Sequence, residues 1–323
     1  MRPYYYSLNE YLKDTYGCKM YKLALNGGMT CPNRDGLIDT RGCIFCSAGG
    51  SGDFAGDAVL TRHSDISTDT ITTPRNTQIS NISSQIDAGQ QLIRQKYNGG
   101  CYIAYFQSYT NTYAPVEYLR QIYYEAINRE DIRILSIATR PDCLSDDIIE
   151  LLSELNAVKP VWIELGLQTI HPKTAEYIRR GYELSIFESA VKRLNAIGIK
   201  PIVHMIIGLP FETEKMILQT ANYIAHCGAS GIKLQLLHVL KNTDLAADFR
   251  AGLFQTMKLE DYIACLGNIL ELLPSDMVVH RLTGDGPKNL LIAPLWSADK
   301  KYVMNRTNQY FKENNIYQGR IYQ

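Results

Sequence analysis

Beyond residue 100 the chain repeats one unit, an apolar β-prone run followed by a stretch of helical periodicity. The runs begin near Cys101 (CYIAYFQ), Ile132 (IRILSIATR), Val161 (VWIELGLQ), Ile199 (IKPIVHMIIGL) and Gly231 (GIKLQLLHVL), at intervals of 31, 29, 38 and 32 residues. Each interval accommodates one strand, one helix and two connections. The runs are apolar nearly throughout rather than alternating, as in strands covered on both faces. Consecutive βα units then form a parallel sheet, curled because right-handed crossovers place every helix on one side. A first strand is expected at Tyr21–Asn26, a helix at Ile86–Tyr97, another at 258–273 and a last strand at Met277–Leu282. Six or seven units fit the length, short of the eight that close a barrel. The expected fold is α/β, a partial (β/α)6-type TIM barrel.

Local signals support the helices. In 145–156, Ser145 suits an N-cap, Asp146 and Asp147 the first turn, and Ile148, Leu151, Leu152 and Leu155 form one stripe. Pro172 suits a helix start and Gly181 its end; Ser185 to Glu188 reads as a capping box, closed by Gly198. Two stretches break the pattern. Residues 61–85 are rich in Ser, Thr, Asn and Asp and read as a polar loop insertion. Residues 293–323 form a C-terminal extension, net +3 from residue 299 onward, with Tyr302, Tyr310, Phe311, Tyr317 and Tyr322. The barrel is therefore assigned to 1–292.

Lysine plus arginine and aspartate plus glutamate each number 33, so composition gives no support to a general polyanion binder. No apolar run approaches a membrane span, and the start Met1-Arg2-Pro3-Tyr4-Tyr5-Tyr6 lacks the core of an export signal. The expectation is a cytoplasmic protein with no membrane partner. In that reducing compartment a cysteine cluster points to metal binding or catalysis rather than to disulfides.

Three of the eight cysteines, Cys31, Cys43 and Cys46, lie in one glycine-rich stretch after the first expected strand, spaced C-x11-C-x2-C. The Cys-x-x-Cys half lets two thiolates converge on one centre, and the glycines let the third reach it. A structural zinc ion would require a fourth ligand, for which Cys18 and His63 are the candidates, neither in a paired spacing. A redox disulfide would leave Cys31 unexplained. A four-iron, four-sulfur cluster held by three thiolates leaves one iron open to another ligand. The other five cysteines read as small buried hydrophobes.

The sequence resembles the radical S-adenosylmethionine (SAM) superfamily, in the branch of the Elongator-catalytic-subunit-like and HemN-like enzymes and closest to the YtqA/YhcC-type proteins. The resemblance runs from YYSLNEYLKDTYGCKMYKLALNGGMTCPNRDG to RLTGDGPKNL and is most specific at Cys43-Ile44-Phe45-Cys46. It implies that Cys31, Cys43 and Cys46 hold a [4Fe–4S] cluster in an N-terminal loop, whose fourth iron chelates SAM, with Phe45 by the adenine. Gln107, Ser108 and Thr110 stand where many members use Gly-Gly-Glu for the methionine amino group. Glu164 and Gln168 occupy the ribose position, Arg179 or Arg180 would pair with the carboxylate, and Ile207 and Leu209 would pack on adenine. Cys31, Gln107, Arg140, Gln168 and Gly208 all fall at expected strand ends, where parallel βα folds bind ligands.

The implied activity is generation of a 5′-deoxyadenosyl radical, with the carboxymethylaminomethyl side chain of tRNA wobble uridine 34 as substrate and an unidentified electron donor. A HemN-like enzyme acting on a small molecule and a zinc-stabilised binding module are the alternatives. The basic, tyrosine-rich tail and Tyr4 to Tyr6 are the local candidates for RNA contact, or else for packing.

Overall fold

The computed structural model describes residues 4–50, 81–94, 97, 99–284 and 286–322. Seven strands form one parallel sheet in chain order: β1 (Tyr21–Leu25), β2 (Tyr102–Phe106), β3 (Ile132–Thr139), β4 (Val161–Gln168), β5 (Lys200–Ile207), β6 (Gly231–Leu236) and β8 (Val278–Arg281). β1 and β8 are the two edges, so the barrel stays open as a curled arc. β7 (Val239–Leu240) pairs antiparallel with β9 (Leu291–Ala293) above β6.

The outward strand residues, among them Leu23, Phe106, Leu135, Ile163, Val203 and Leu234, are at most 3% exposed and form the main core with the surrounding helices. These are α2 (Ile82–Ile93), α3 (Val116–Ile127), α4 (Asp146–Val158), α6 (Leu184–Ala196), α7 (Glu214–His226) and α9 (Leu259–Leu272). Toward the base the inward face is buried as well, with Ile103, Ile134, Trp162 and Ile202 at most 3% exposed, which is why the apolar runs are nearly continuous. An N-terminal helix, α1 (Leu8–Tyr16), closes the base of the arc. Its capping box (Ser7 with Glu10) and left-handed Gly17 fix its ends. Leu12 packs there with Met20, Ile103, Ile134, Trp162 and Ile202. Ahead of it, Ser7 bridges to Val279 and covers part of the β8 edge.

Four local expectations change. α2 begins at Ile82 with Asn81 as cap, so 81–85 are the start of a helix; 61–80, including His63, lie outside the described residues. Glu183 caps α6, which places Ser185 inside the first turn and leaves no capping box. Ser145 is the α4 N-cap by position, but its hydroxyl hydrogen-bonds the Asp147 carboxylate instead of the backbone. The tail contains a 14-residue helix, α10 (Lys300–Glu313), with Val303, Thr307 and Phe311 buried. Phe311 meets Tyr4 edge-on, and Ile316 joins the main core. The extension therefore packs on the barrel, and residue 293, its first, belongs to β9. Among the described residues no helix is long and apolar enough to cross a membrane.

Candidate active site

The eleven residues between Cys31 and Cys43 fold back on themselves above β1. The amides of Arg34 and Asp35 bond to the Cys31 carbonyl, and the Gly42 amide bonds to the Asn33 carbonyl at 2.6 Å. Gly42 is left-handed, and a Cβ there would lie 2.8 Å from the Arg34 guanidinium, so glycine is required for the closure. Arg34 in turn donates to the carbonyls of Cys46 and Ser47. Two bonds fasten the loop to the rest of the mouth. The Ile44 amide reaches the Ile178 carbonyl, just past α5 (Pro172–Tyr177), and its carbonyl accepts from Leu245 in α8 (Asp244–Arg250). Folding thereby brings fully buried Asn33 against Cys43: its Nδ2 donates to the Arg179 carbonyl at 2.6 Å and lies 3.4 Å from the Cys43 Sγ.

The environment favours a thiolate. A hydrogen bond from Cys46 is the largest influence on Cys43 and, against the cost of burial, joins Arg140, Asn33 and Arg179 in lowering its pKa to about 6. The same bond, with burial and the Cys43 charge, holds Cys46 well above the usual thiol range. Cys31 is near enough for its charge to raise Cys46 further. Among the described residues no three His, Cys, Asp or Glu side chains converge on a single-ion site. Cys18 pairs with Cys101 beside the base of the barrel, at the opposite end from Cys31.

Unpaired polar atoms and strained backbone gather at the same mouth. Asn33 Oδ1, Asn111 Oδ1, Gln168 Oε1, and Arg179 Nε and Nη1 are buried without a hydrogen-bond partner. Such atoms cost free energy unless a ligand meets them. Among the described residues six non-glycine residues have left-handed φ, and five of them, Tyr109, Gln168, Arg179, Phe211 and Asn242, end or follow strands or follow α5 on this face. Strain of that kind collects at binding sites, where surrounding structure holds it.

The description of the radical SAM superfamily fits residues 40–224, more than half of the chain. The chain belongs to the radical SAM superfamily. The Radical_SAM C-terminal domain fits residues 229–313. The chain is 41% identical to protein YtqA of Bacillus subtilis, over 99% of this chain and 93% of that one. It is 34% identical to protein YhcC of Escherichia coli, over 94% and 91%. It is 24% identical to the tRNA uridine(34) acetyltransferase of Methanocaldococcus jannaschii, over 49% of this chain and 29% of that protein. Among solved structures, the archaeal Elp3 of Methanocaldococcus infernus superposes with a TM-score of 0.65 at 18% identity, covering 76% of this chain and 62% of that one. The cofactors of this radical SAM enzyme are those of its family, a [4Fe–4S] cluster and SAM. The mouth suits both: Cys43, held toward its thiolate, lies among arginines, with unpaired polar atoms around it.

The expected site residues divide sharply. Phe45 and Leu209 lie in a second apolar cluster roofing the mouth, with Ile44, Ile178 and Ile206. Ile207 does not: it faces the outer helices in the main core, and Ile206 takes the inward place. Side chains alternate along a strand, so one residue of misplacement reverses the face. Gln107, Ser108 and Thr110 follow β2, the latter two buried, and the Thr110 amide bonds to the Thr30 carbonyl beside Cys31. Gln168 ends β4 as expected, with its Oε1 unpaired. Arg179 bonds Asp244 through Nη2 and keeps two free nitrogens. Arg180 is spent on structure: its guanidinium donates to the carbonyls of Leu167, Thr169 and Tyr182 and sits over the Tyr182 ring. Asn33 escaped the sequence reading, although CPNRDG places it two residues from Cys31. Arg140, recognised only as a strand-end residue, pairs with Asp142 and lies over Tyr182 near Cys43.

Glu164 is the largest departure. It lies in the middle of β4 rather than at its end, fully buried inside the arc. Its carboxylate accepts from Lys22, Ser136, Tyr105, His204 and Lys233, which leaves no lone pair for a ribose. Burial pushes its pKa up, but the Lys22 and Lys233 charges outweigh that and hold it well below the carboxylate range. His204 is therefore a satisfied histidine, bonded also to Gln235.

Burial lowers His204 to about 4, with the Lys233 charge adding and Glu164 opposing. Between pH 6.5 and 4 the unfolded chain binds a proton that folded His204 refuses, so stability falls with pH, by roughly 3 kcal/mol once both states are protonated. Unfolding temperatures measured from pH 7 to 4 should fall accordingly, and His204→Gln should flatten the decline. An unchanged slope in the variant would refute the assignment.

Proposed function

We propose that this radical SAM enzyme binds its cluster through Cys31, Cys43 and Cys46 and modifies the carboxymethylaminomethyl side chain of tRNA wobble uridine 34. The observation that carries the site assignment is the meeting of Cys43, Asn33 and Arg179 at the mouth where Gln168 ends β4. Held by Cys31, Cys43 and Cys46, a [4Fe–4S] cluster would supply the reducing electron for radical cleavage of SAM. The chain's own part is orientation and exclusion of water. Free nitrogens of Arg179 suit the methionine carboxylate, Gln168 suits the ribose, and the apolar roof around Phe45, Ile206 and Leu209 suits adenine.

Similarity to a tRNA uridine(34) acetyltransferase across 49% of this chain supports the tRNA reading. Tyr302, half exposed at the start of α10, remains available for a splayed base, whereas Phe311 is committed to packing. Nucleosides from tRNA of a strain lacking the gene test the substrate by mass spectrometry. The carboxymethylaminomethyl form should accumulate at the expense of the aminomethyl form; unchanged nucleosides reject it.

The paired arginines give a separate prediction. Arg179→Met should weaken SAM binding roughly tenfold, an arginine–carboxylate bond being worth about 1.5–3 kcal/mol, with little change in unfolding. Arg180→Met should do the reverse, lowering stability by roughly that amount because three carbonyls lose their donor. Equal effects of the two on SAM binding would contradict this division.

A further inference from the structure

Below the cysteines, the inward face of the arc holds charges that the SAM chemistry leaves unused. Lys22, His204, Gln235, His280 and Arg281 keep partial exposure, while their outward neighbours Leu23, Val203, Leu234, Leu236 and Val279 are at most 4% exposed. The alternation lines the inside of the arc, its lumen, with polar side chains at this level. One irregularity shapes it. Ile232 pairs with Val279 and Lys233 with Arg281, so His280 is an extra residue on β8. That bulge turns both His280 and Arg281 inward: His280 meets Trp162 edge-on at the base, and the Arg281 charge acts on Tyr105, His204 and Lys233. Bulges re-aim side chains in this way beside active sites.

The lumen is unbalanced. Among the described residues three basic side chains, Lys22, Lys233 and Arg281, face one carboxylate, that of Glu164, which the two lysines share. Burial holds His204 and His280 low, so neither adds to the positive charge. Among the described residues Arg281 has no carboxylate partner, and its Nε and the His280 Nδ1 are buried without any acceptor or donor. An uncompensated guanidinium in such a place is costly unless an anion joins it.

We propose that the lumen is an anion subsite, in which Arg281, backed by Lys233 and Lys22, binds a carboxylate of the substrate reaching down from the mouth. This deepens the proposed function and rests on it for the nucleoside, since the carboxymethylaminomethyl side chain ends in a carboxylate. Arg281 offers the planar fork that a carboxylate fits, and the lysines add point charges. The apolar base around Leu12 and Trp162 limits the depth to a short group.

Calorimetric titration of the full-length, cluster-reconstituted protein tests this with 5-carboxymethylaminomethyluridine, 5-aminomethyluridine, N-methylglycine and inorganic phosphate. The first nucleoside should bind at least roughly tenfold tighter than the second, the preference expected of one charge-assisted bond. Arg281→Gln should abolish that preference and N-methylglycine binding while unfolding at the same or a higher temperature, because it removes an unpaired buried charge. Saturable N-methylglycine binding that requires Arg281 supports the carboxylate subsite even where the two nucleosides bind alike, an outcome that counts against uridine alone. A variant that keeps the wild-type pattern overturns the subsite, as does absence of both the nucleoside preference and N-methylglycine binding. Phosphate binding more tightly than N-methylglycine overturns the assignment to a carboxylate.

Discussion

Cys43→Ala protein, reconstituted anaerobically, is expected to lose its four-iron cluster and all measurable SAM cleavage while keeping the far-UV signature of the wild type. Groups that merely support a metal ligand already cost about 10–100-fold when removed, so loss of a ligand should exceed that range. The fold should survive because Cys43 contributes little packing. Its partner Asn33 keeps the 2.6 Å bond to the Arg179 carbonyl, and the Ile44 backbone still ties the loop to Ile178 and Leu245. Iron and sulfide analysis, visible absorption and SAM turnover read the result together. Full turnover in the variant would refute the cluster assignment.

Glu164→Ala is expected to be the most destabilising single change in the barrel interior, by about 3–5 kcal/mol, the cost of stripping the counter-ion from a buried pair. It leaves Lys22 and Lys233 facing each other and Arg281, with Tyr105 and Ser136 also losing an acceptor. Denaturant unfolding should show a lower midpoint at unchanged slope. Glu164→Gln, which keeps an acceptor but not the charge, should fall between the two. Adding Lys233→Met to Glu164→Gln should recover part of the loss, since it removes one uncompensated charge. A midpoint within error of wild type for Glu164→Ala would show that the carboxylate is not holding the lysines. The experiment also separates the present role from ribose binding, which would move SAM affinity rather than stability.

How far the sequence could be read depended on whether a signal was local. Strand positions were legible because strands buried on both faces are continuous apolar runs, and 277–282 or 161–168 needed no partner to be recognised. The three cysteines stood out for a similar reason, their spacing being a covalent fact. Caps were less secure: Ser185 lost its place to Glu183, a choice made by where β4 and α5 deliver the chain. The α10 helix was hidden because only Val303, Thr307 and Phe311 commit to the core, and its low apolar content gives a weak period.

Sequence by itself determined the chemistry available and the class of fold: a parallel arc of βα units, three clustered thiols, and a mouth at the strand ends. Only the tertiary structure decided which polar residues are free. Arg179 and Arg180 are neighbours with one chemistry, yet one keeps open nitrogens while the other is spent on backbone carbonyls. Glu164 meets Lys22 and Lys233 across 142 and 69 residues of chain, and one extra residue in β8 aims Arg281 at the same space. Such outcomes turn on strand register and closure of the sheet, where a shift of one residue exchanges inside for outside.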